Sequence, residues 1–298
     1  MRHPIRHLIC DLDNTLYDWV ASFVPSFYAM VDELVVILQC DRDDLLRDFK
    51  EVHVRNGDAE HGFAALETRT VQDHFSPLSK AEIAAKIDSA LYAYNRTRKR
   101  TLNVYPGVIH TLGALRSSGI VLLAYSEAKF HSIVDRLTRL GLIDYFDTVY
   151  CQERSPSSHP SPETLRVTVP TGGLTKIIEL KQHQRKPSPD VLREICDREG
   201  ADLSTTAYVG DSLAKDVVMA NQAGVFSIWA KYGSQTDPAL LAKLLPISHW
   251  TPEEVAREAA FRTGAAFVEP DAVLLSGFEE IGTFIEPIAM ERREVLPR

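Results

Sequence analysis

The sequence predicts an α/β fold, a doubly wound parallel sheet interrupted by an all-helical insertion. Short apolar runs, partly β-branched, stop at polar residues, as strands buried on both faces do. After Tyr105-Pro106-Gly107 such runs alternate with helical stripes, the order that builds a parallel sheet with crossover helices. Between about Val20 and Arg100 the apolar residues instead recur at three and four, so that block reads as helical throughout.

Taken in order, Leu8-Ile9-Cys10 is the first strand and ends at carboxylates. The helical block follows, with Phe23, Phe27, Val31, Leu34, Val35 and Leu38 on one stripe and Ile83, Ile87, Leu91 and Tyr94 on another. Phe23, Phe27 and Tyr28 read as packing residues, and Tyr17 and Trp19, just before the block, are placed to face a ligand or to be buried in a hinge. A helix through Val108, Leu112 and Leu115 stops at Gly119, and a strand runs from Ile120 to Ala124 and ends at Ser126. A helix with Phe130, Ile133, Val134, Leu137 and Leu140 stops at Gly141, and Thr148 to Cys151 is the next strand. Residues 154–185 break the rhythm: a Pro/Ser-rich loop, then Leu165, Val167 and Val169 alternating, then Thr175 to Leu180, which together suggest a small hairpin. A helix over Pro189 to Arg198, a strand at Ala207-Tyr208-Val209, a helix from Leu213 to Ala223 and a strand from Val225 to Ala230 restore the alternation. Beyond Lys231, helix-like stretches at Pro252 to Arg262, Phe267 to Leu275 and Phe278 to Ile285 are expected to complete the core and pack on the sheet, with Met290 to Arg298 frayed.

Composition narrows the function. The 298 residues can bury a proper core, and 45% hydrophobic with 25% charged content is average for globular proteins. A net charge of −8 and a pI near 5.7 lack the electrostatic footprint of a nucleic-acid binder. The densest basic cluster, from Arg96 to Arg100, reads as a solvated helix end. Cys10, Cys40, Cys151 and Cys196 are too scattered for a local zinc or redox motif, and Cys10 points to the core. The ten histidines show no metal-ligand spacing. The N-terminus has no signal-peptide run, and the apolar runs at 34–38 and 121–124 are too short to span a bilayer, so a cytoplasmic location and no membrane partner are expected.

Ligands of open parallel sheets bind beyond the carboxyl ends of the strands. Those ends carry Asp11-Leu12-Asp13-Asn14-Thr15, then Ser126-Glu127, then Lys186-Pro187-Ser188-Pro189 before a helix, then Gly210-Asp211-Ser212-Leu213-Ala214-Lys215-Asp216. Carboxylates converging on one mouth suit a bound Mg²⁺, whose remaining ligand of choice is phosphate. A lysine, a hydroxyl and backbone N–H groups can neutralise the other phosphate oxygens. One carboxylate can attack phosphorus, and a second can protonate the leaving alcohol and then deprotonate water.

These four motifs, in this order over about residues 5 to 230, resemble the haloacid dehalogenase superfamily, in particular its phosphatases. The resemblance implies a Rossmann-like core made of 1–17 and 104–298, a helical cap over 18–103, and an unusual insert at 154–185. It implies Asp11 as nucleophile and metal ligand, and Asp13 as general acid/base with its carbonyl on the metal. Asp211 and Asp216 complete the implied metal site, and Thr15, Ser126, Glu127 and Lys186 the phosphate site. Glu127 departs from the family pattern, since an acid there repels phosphate unless it turns away or meets a cation. The expected activity is Mg²⁺-dependent hydrolysis of a small phosphorylated metabolite, of nucleoside monophosphate, sugar phosphate or phosphoglycolate type, by a monomer or homodimer with no nucleic-acid polymer as partner. Asp13 to Tyr17 is similar to the start of some pyrimidine nucleotidase-like members. A phosphomutase, a dehalogenase, which Asp13 argues against, and a non-catalytic binding protein are the alternatives.

Overall fold

The computed structural model describes residues 2–60, 63–154 and 175–288. Seven parallel strands form the main sheet: β2 (His7–Cys10), β3 (Val121–Lys129), β4 (Thr148–Gln152), β5 (Lys176–Leu180), β6 (Thr206–Gly210), β7 (Phe226–Ala230) and β8 (Ala272–Leu274). Their spatial order is β5-β4-β3-β2-β6-β7-β8, so β2 lies between β3 on one side and β6 on the other. That reversal opens a crevice at the carboxyl end of β2. A separate parallel pair joins β1 (His3–Ile5) to β9 (Ile285–Pro287).

Alternation along the strands sorts their side chains to two covered faces. Leu8 and Cys10, with Leu122, Ala124, Val149 and Val209, pack under α6 (Val108–Ser117) and α7 (Phe130–Arg139). Ile9, Leu123, Tyr125, Tyr150 and Tyr208 meet α8 (Pro189–Glu199) and α9 (Val218–Ala223) on the opposite face. The helical block holds α1 (Trp19–Leu38), α2 (Arg42–Asn56), α3 (Arg69–Phe75), α4 (Lys80–Lys86) and α5 (Asp88–Thr101) around a second apolar cluster, in which Phe23 and Phe27 are buried. By length and composition α1 could cross a membrane, which a search for unbroken apolar runs misses because Asp32 and Glu33 interrupt it. Half of its apolar window is buried inside the protein.

Three expectations need correction. Thr175 to Leu180 supplies β5, parallel to β4, and the other arm of the expected hairpin lies outside the described residues, as does Met290 to Arg298. Phe267 to Leu275 is not helical: Ala272–Leu274 is strand β8, drawn onto the free edge of β7. Phe278 to Ile285 forms a 3₁₀ turn (Phe278–Thr283) running into β9. Nor do all helices after Lys231 pack on the sheet. Residues 231–271, between β7 and β8, carry α10 (Pro238–Leu244) and α11 (Pro252–Arg262), and Leu244 and Ile247 are buried in the cluster of the helical block.

Candidate active site

The crevice receives its side chains from four strand ends. Asp11 follows β2 directly, its amide donating to the Val209 carbonyl at 2.8 Å. The chain then turns through Asn14, in the left-handed region at φ 59°, whose Oδ1 accepts from the Trp19 and Val20 amides and so caps α1. Gly233 approaches this turn so closely that a Cβ would collide with the Asn14 carbonyl oxygen. Thr15 donates to Asp11 Oδ2 at 2.9 Å and so braces the nucleophile candidate.

Lys186 is buried and donates to Asp11 Oδ1, and to Asp216 Oδ1 at 2.8 Å. Its ammonium lies 5.2 and 5.4 Å from the Tyr125 and Tyr208 ring centres. Asp216 sits in a short π-helical segment (Leu213–Val217) after β6 and also accepts from the Tyr208 hydroxyl at 3.0 Å and the Ser212 amide at 3.1 Å. Asp211 is fixed through its carbonyl, which accepts from Trp229 Nε1 at 2.9 Å. Oxygens of Asp11, Asp211 and Asp216 lie within 4.8 Å of one another. Ser126 is fully buried at the site, in a β3 that runs on to Lys129, and its hydroxyl accepts from the Ala128 amide at 3.1 Å.

This cluster is electrostatically unbalanced. Burial pushes the Asp11 carboxyl up to about 7, with Lys186 opposing and Asp216 reinforcing the rise. Burial, then Asp11 and Asp216, hold Asp211 well above the usual carboxylate range. For Lys186 burial works against the charge, but Asp11 and Asp216 outweigh it and keep the ammonium ionised. Three hard-oxygen carboxylates against one lysine make a donor set that fits a divalent cation such as Mg²⁺.

Residues 8–177 match the haloacid dehalogenase-like hydrolase family, and residues 183–259 match a HAD-hydrolase-like family. The first match spans more than half of the chain. The protein belongs to the haloacid dehalogenase-like hydrolases. It is 28% identical over 236 residues to a glyceraldehyde 3-phosphate phosphatase of Methanopyrus kandleri, covering 78% of this chain and 87% of that one. A phosphoglycolate phosphatase of Agrobacterium fabrum is 25% identical over 261 residues, covering 87% and 91%. In fold the hydrolase is similar to a 2-haloacid dehalogenase of Pseudomonas syringae, with a TM-score of 0.56 at 18% identity over 94% of this chain and 97% of that one.

The structure adds partners to the hydrolase's site that the sequence does not show. Glu127, expected among phosphate ligands, instead accepts from Lys215 at 2.6 Å and Arg185 at 3.2 Å. Burial alone would raise its carboxyl, but Lys215 and Arg185 prevail and pull it down to about 2. An ionised carboxylate has no donor for phosphate, so Glu127 organises two cations beside the site. Arg136 of α7, 2% exposed, reaches Glu60 at 2.6 Å and Asp13 at 3.4 Å, and stacks over Tyr17 with 5.6 Å to the ring centre. Glu60 comes from the stretch after α2, so this cation ties the helical block to the first motif. A charged residue beside the core positions Ile133 and Leu137 is the only trace of this in the sequence, and Glu60 leaves none. The cavity over the site measures about 420 Å³, and residues from 231–271 line it, including His249, whose Nδ1 is buried without a hydrogen-bond partner among the described residues.

Proposed function

We propose that this hydrolase is a Mg²⁺-dependent phosphatase that cleaves a small phosphorylated metabolite through an aspartyl-phosphate on Asp11. The observation that carries the reading is the meeting of Asp11 with Lys186, Asp211 and Asp216 at a strand-end crevice, with a second carboxylate, Asp13, two residues on. The carboxylates of Asp11 and Asp211, the carbonyl of Asp13 and, from behind, Asp216 would hold Mg²⁺. When bound, the ion offsets the carboxylate charge and polarises a phosphoryl oxygen.

An Asp11 oxygen attacks phosphorus, and the bond from phosphorus to the ester oxygen breaks. Asp13 gives its proton to the departing alkoxide, then takes one from the water that attacks the aspartyl-phosphate, so inorganic phosphate leaves and Asp11 is restored. Thr15 and Lys186 hold Asp11 with both oxygens engaged, which limits its rotation before attack. Lys186 and Ser126 bind the phosphoryl oxygens, and Arg136 orients Asp13. The helical block lies over the crevice as a cap, with Trp19 and Glu60 on the cavity wall, and excludes bulk water.

The deciding experiment measures inorganic phosphate and halide release from phosphate esters and haloacids, with Mg²⁺ or EDTA, for the wild type and Asp11→Asn. Phosphate release that needs Mg²⁺ and falls by about 10⁴-fold in the variant is expected. Release that persists in Asp11→Asn, or halide release in its place, overturns the reading.

A further inference from the structure

We propose that residues 231–271 form a second wall of the substrate pocket and select a phosphomonoester whose alcohol carries an aromatic or apolar ring. This rests on the phosphatase reading and adds the leaving group to it.

The argument begins with α11. None of its residues is fully buried, so the helix contributes to no apolar core. Yet Glu254, Glu258, Phe261 and Arg262, spaced as one helical face, all line the cavity over Asp11. Besides the turn after β6, which it also touches, this face of α11 borders the cavity. The same stretch brings in Trp250, which lines the cavity together with Trp19 of the helical block. Trp19, Trp250 and Phe261 give the pocket aromatic surface in addition to the carboxylate cluster that would engage the phosphate.

This wall is also held in place, which a specificity surface requires. Leu244 and Ile247 are fully buried in the apolar cluster of the helical block. Tyr28 donates to the Lys243 carbonyl at 3.0 Å, His53 Nδ1 lies 2.6 Å from the Ile247 carbonyl, and Lys50 donates to the Ser248 carbonyl. On the other side Ser212 donates to Glu258 at 2.5 Å, fixing α11 to the turn that carries Asp211 and Asp216. The cavity of about 420 Å³ falls within the range of about 300–1,000 Å³ typical of drug-sized ligands, and a two-carbon phosphate would leave most of it to water. A ring stacked on these aromatics would fill it and release that water.

The test compares kcat/KM for benzyl phosphate and for phosphoglycolate, two esters of primary alcohols, one bearing a phenyl ring where the other bears a carboxylate. The enzymes are wild type, Trp250→Ala, Phe261→Ala and the conservative Trp250→Phe, with circular dichroism to confirm folding. The wild type is expected to prefer benzyl phosphate by roughly 10-fold or more. Each alanine variant should lose roughly 10-fold on benzyl phosphate, mainly through KM, and stay within about twofold on phosphoglycolate, while Trp250→Phe recovers most of the loss. A preference for phosphoglycolate, or equal losses on both esters, overturns the wall as a ring selector while leaving the phosphatase reading intact. No phosphate from either ester overturns that reading, and the proposal with it.

Discussion

Replacing Arg136 with Met tests the buried charge cluster that ties the helical block to the first motif. Arg136 is 2% exposed and the Glu60 side chain 10%, so solvent screens little of their 2.6 Å contact. Asp13, at 3.4 Å and 24% exposed, contributes less. Met fills much of the aliphatic volume but leaves the Glu60 carboxylate buried without its cation. Breaking such a pair from one side costs about 3–5 kcal/mol. For a chain of this size that lowers Tm by on the order of 10 °C. The pH dependence is specific. Burial already raises the Glu60 carboxyl from 4.5 to about 7 against the pull of Arg136, and losing Arg136 raises it further. A carboxyl raised in the folded state favours folding fully below its unfolded value and loses that contribution as pH rises through the folded value. The deficit of Arg136→Met is therefore largest near pH 8 and smaller near pH 6. Urea unfolding at both pH values, with Glu60→Gln/Arg136→Met alongside, measures this. The double variant should recover at least half of the loss, because no orphaned charge remains at Glu60. A single variant within about 1 kcal/mol of wild type at pH 8, or a double variant less stable than the single, refutes the reasoning.

Glu127→Gln addresses the neighbouring cluster: a carboxyl held at about 2 instead of 4.5 adds stability above pH 4.5 that disappears as pH falls through about 2. The variant should be less stable by up to about 3 kcal/mol at pH 7, with the gap narrowing from pH 4.5 downward; urea midpoints at pH 7, 5 and 3 would contradict this if the gap stayed constant or widened toward acid. Gly233→Ala should displace the turn at Asn14, and with it Asp13, because a Cβ meets the Asn14 carbonyl. We expect phosphate release to fall by roughly 100-fold with little change in far-UV circular dichroism, and unaltered turnover would show that the turn yields without moving Asp13.

The frame of the protein and its candidate site residues were legible in local sequence pattern. Apolar runs that stop at carboxylates placed the ends of β2 and β6, and the run ending at Ser126 located β3, which continues to Lys129. Each of those motifs is set by a few consecutive residues, so local pattern suffices to find it. The tertiary structure alone decided the partners. Nothing near Arg136 in the sequence announces Glu60, and nothing near Tyr208 announces that its hydroxyl braces Asp216 across the turn. Short apolar segments fit more than one period: Ala272–Leu274 became a strand because β7 offered a free parallel edge, and Lys176–Leu180 because β4 did. Residues 231–271 likewise left the sheet for the cavity because the apolar cluster of the helical block could bury Leu244 and Ile247. Burial free energy depends on surfaces that meet only once the chain has folded, so the wall opposite Asp11 is a property of the assembled structure.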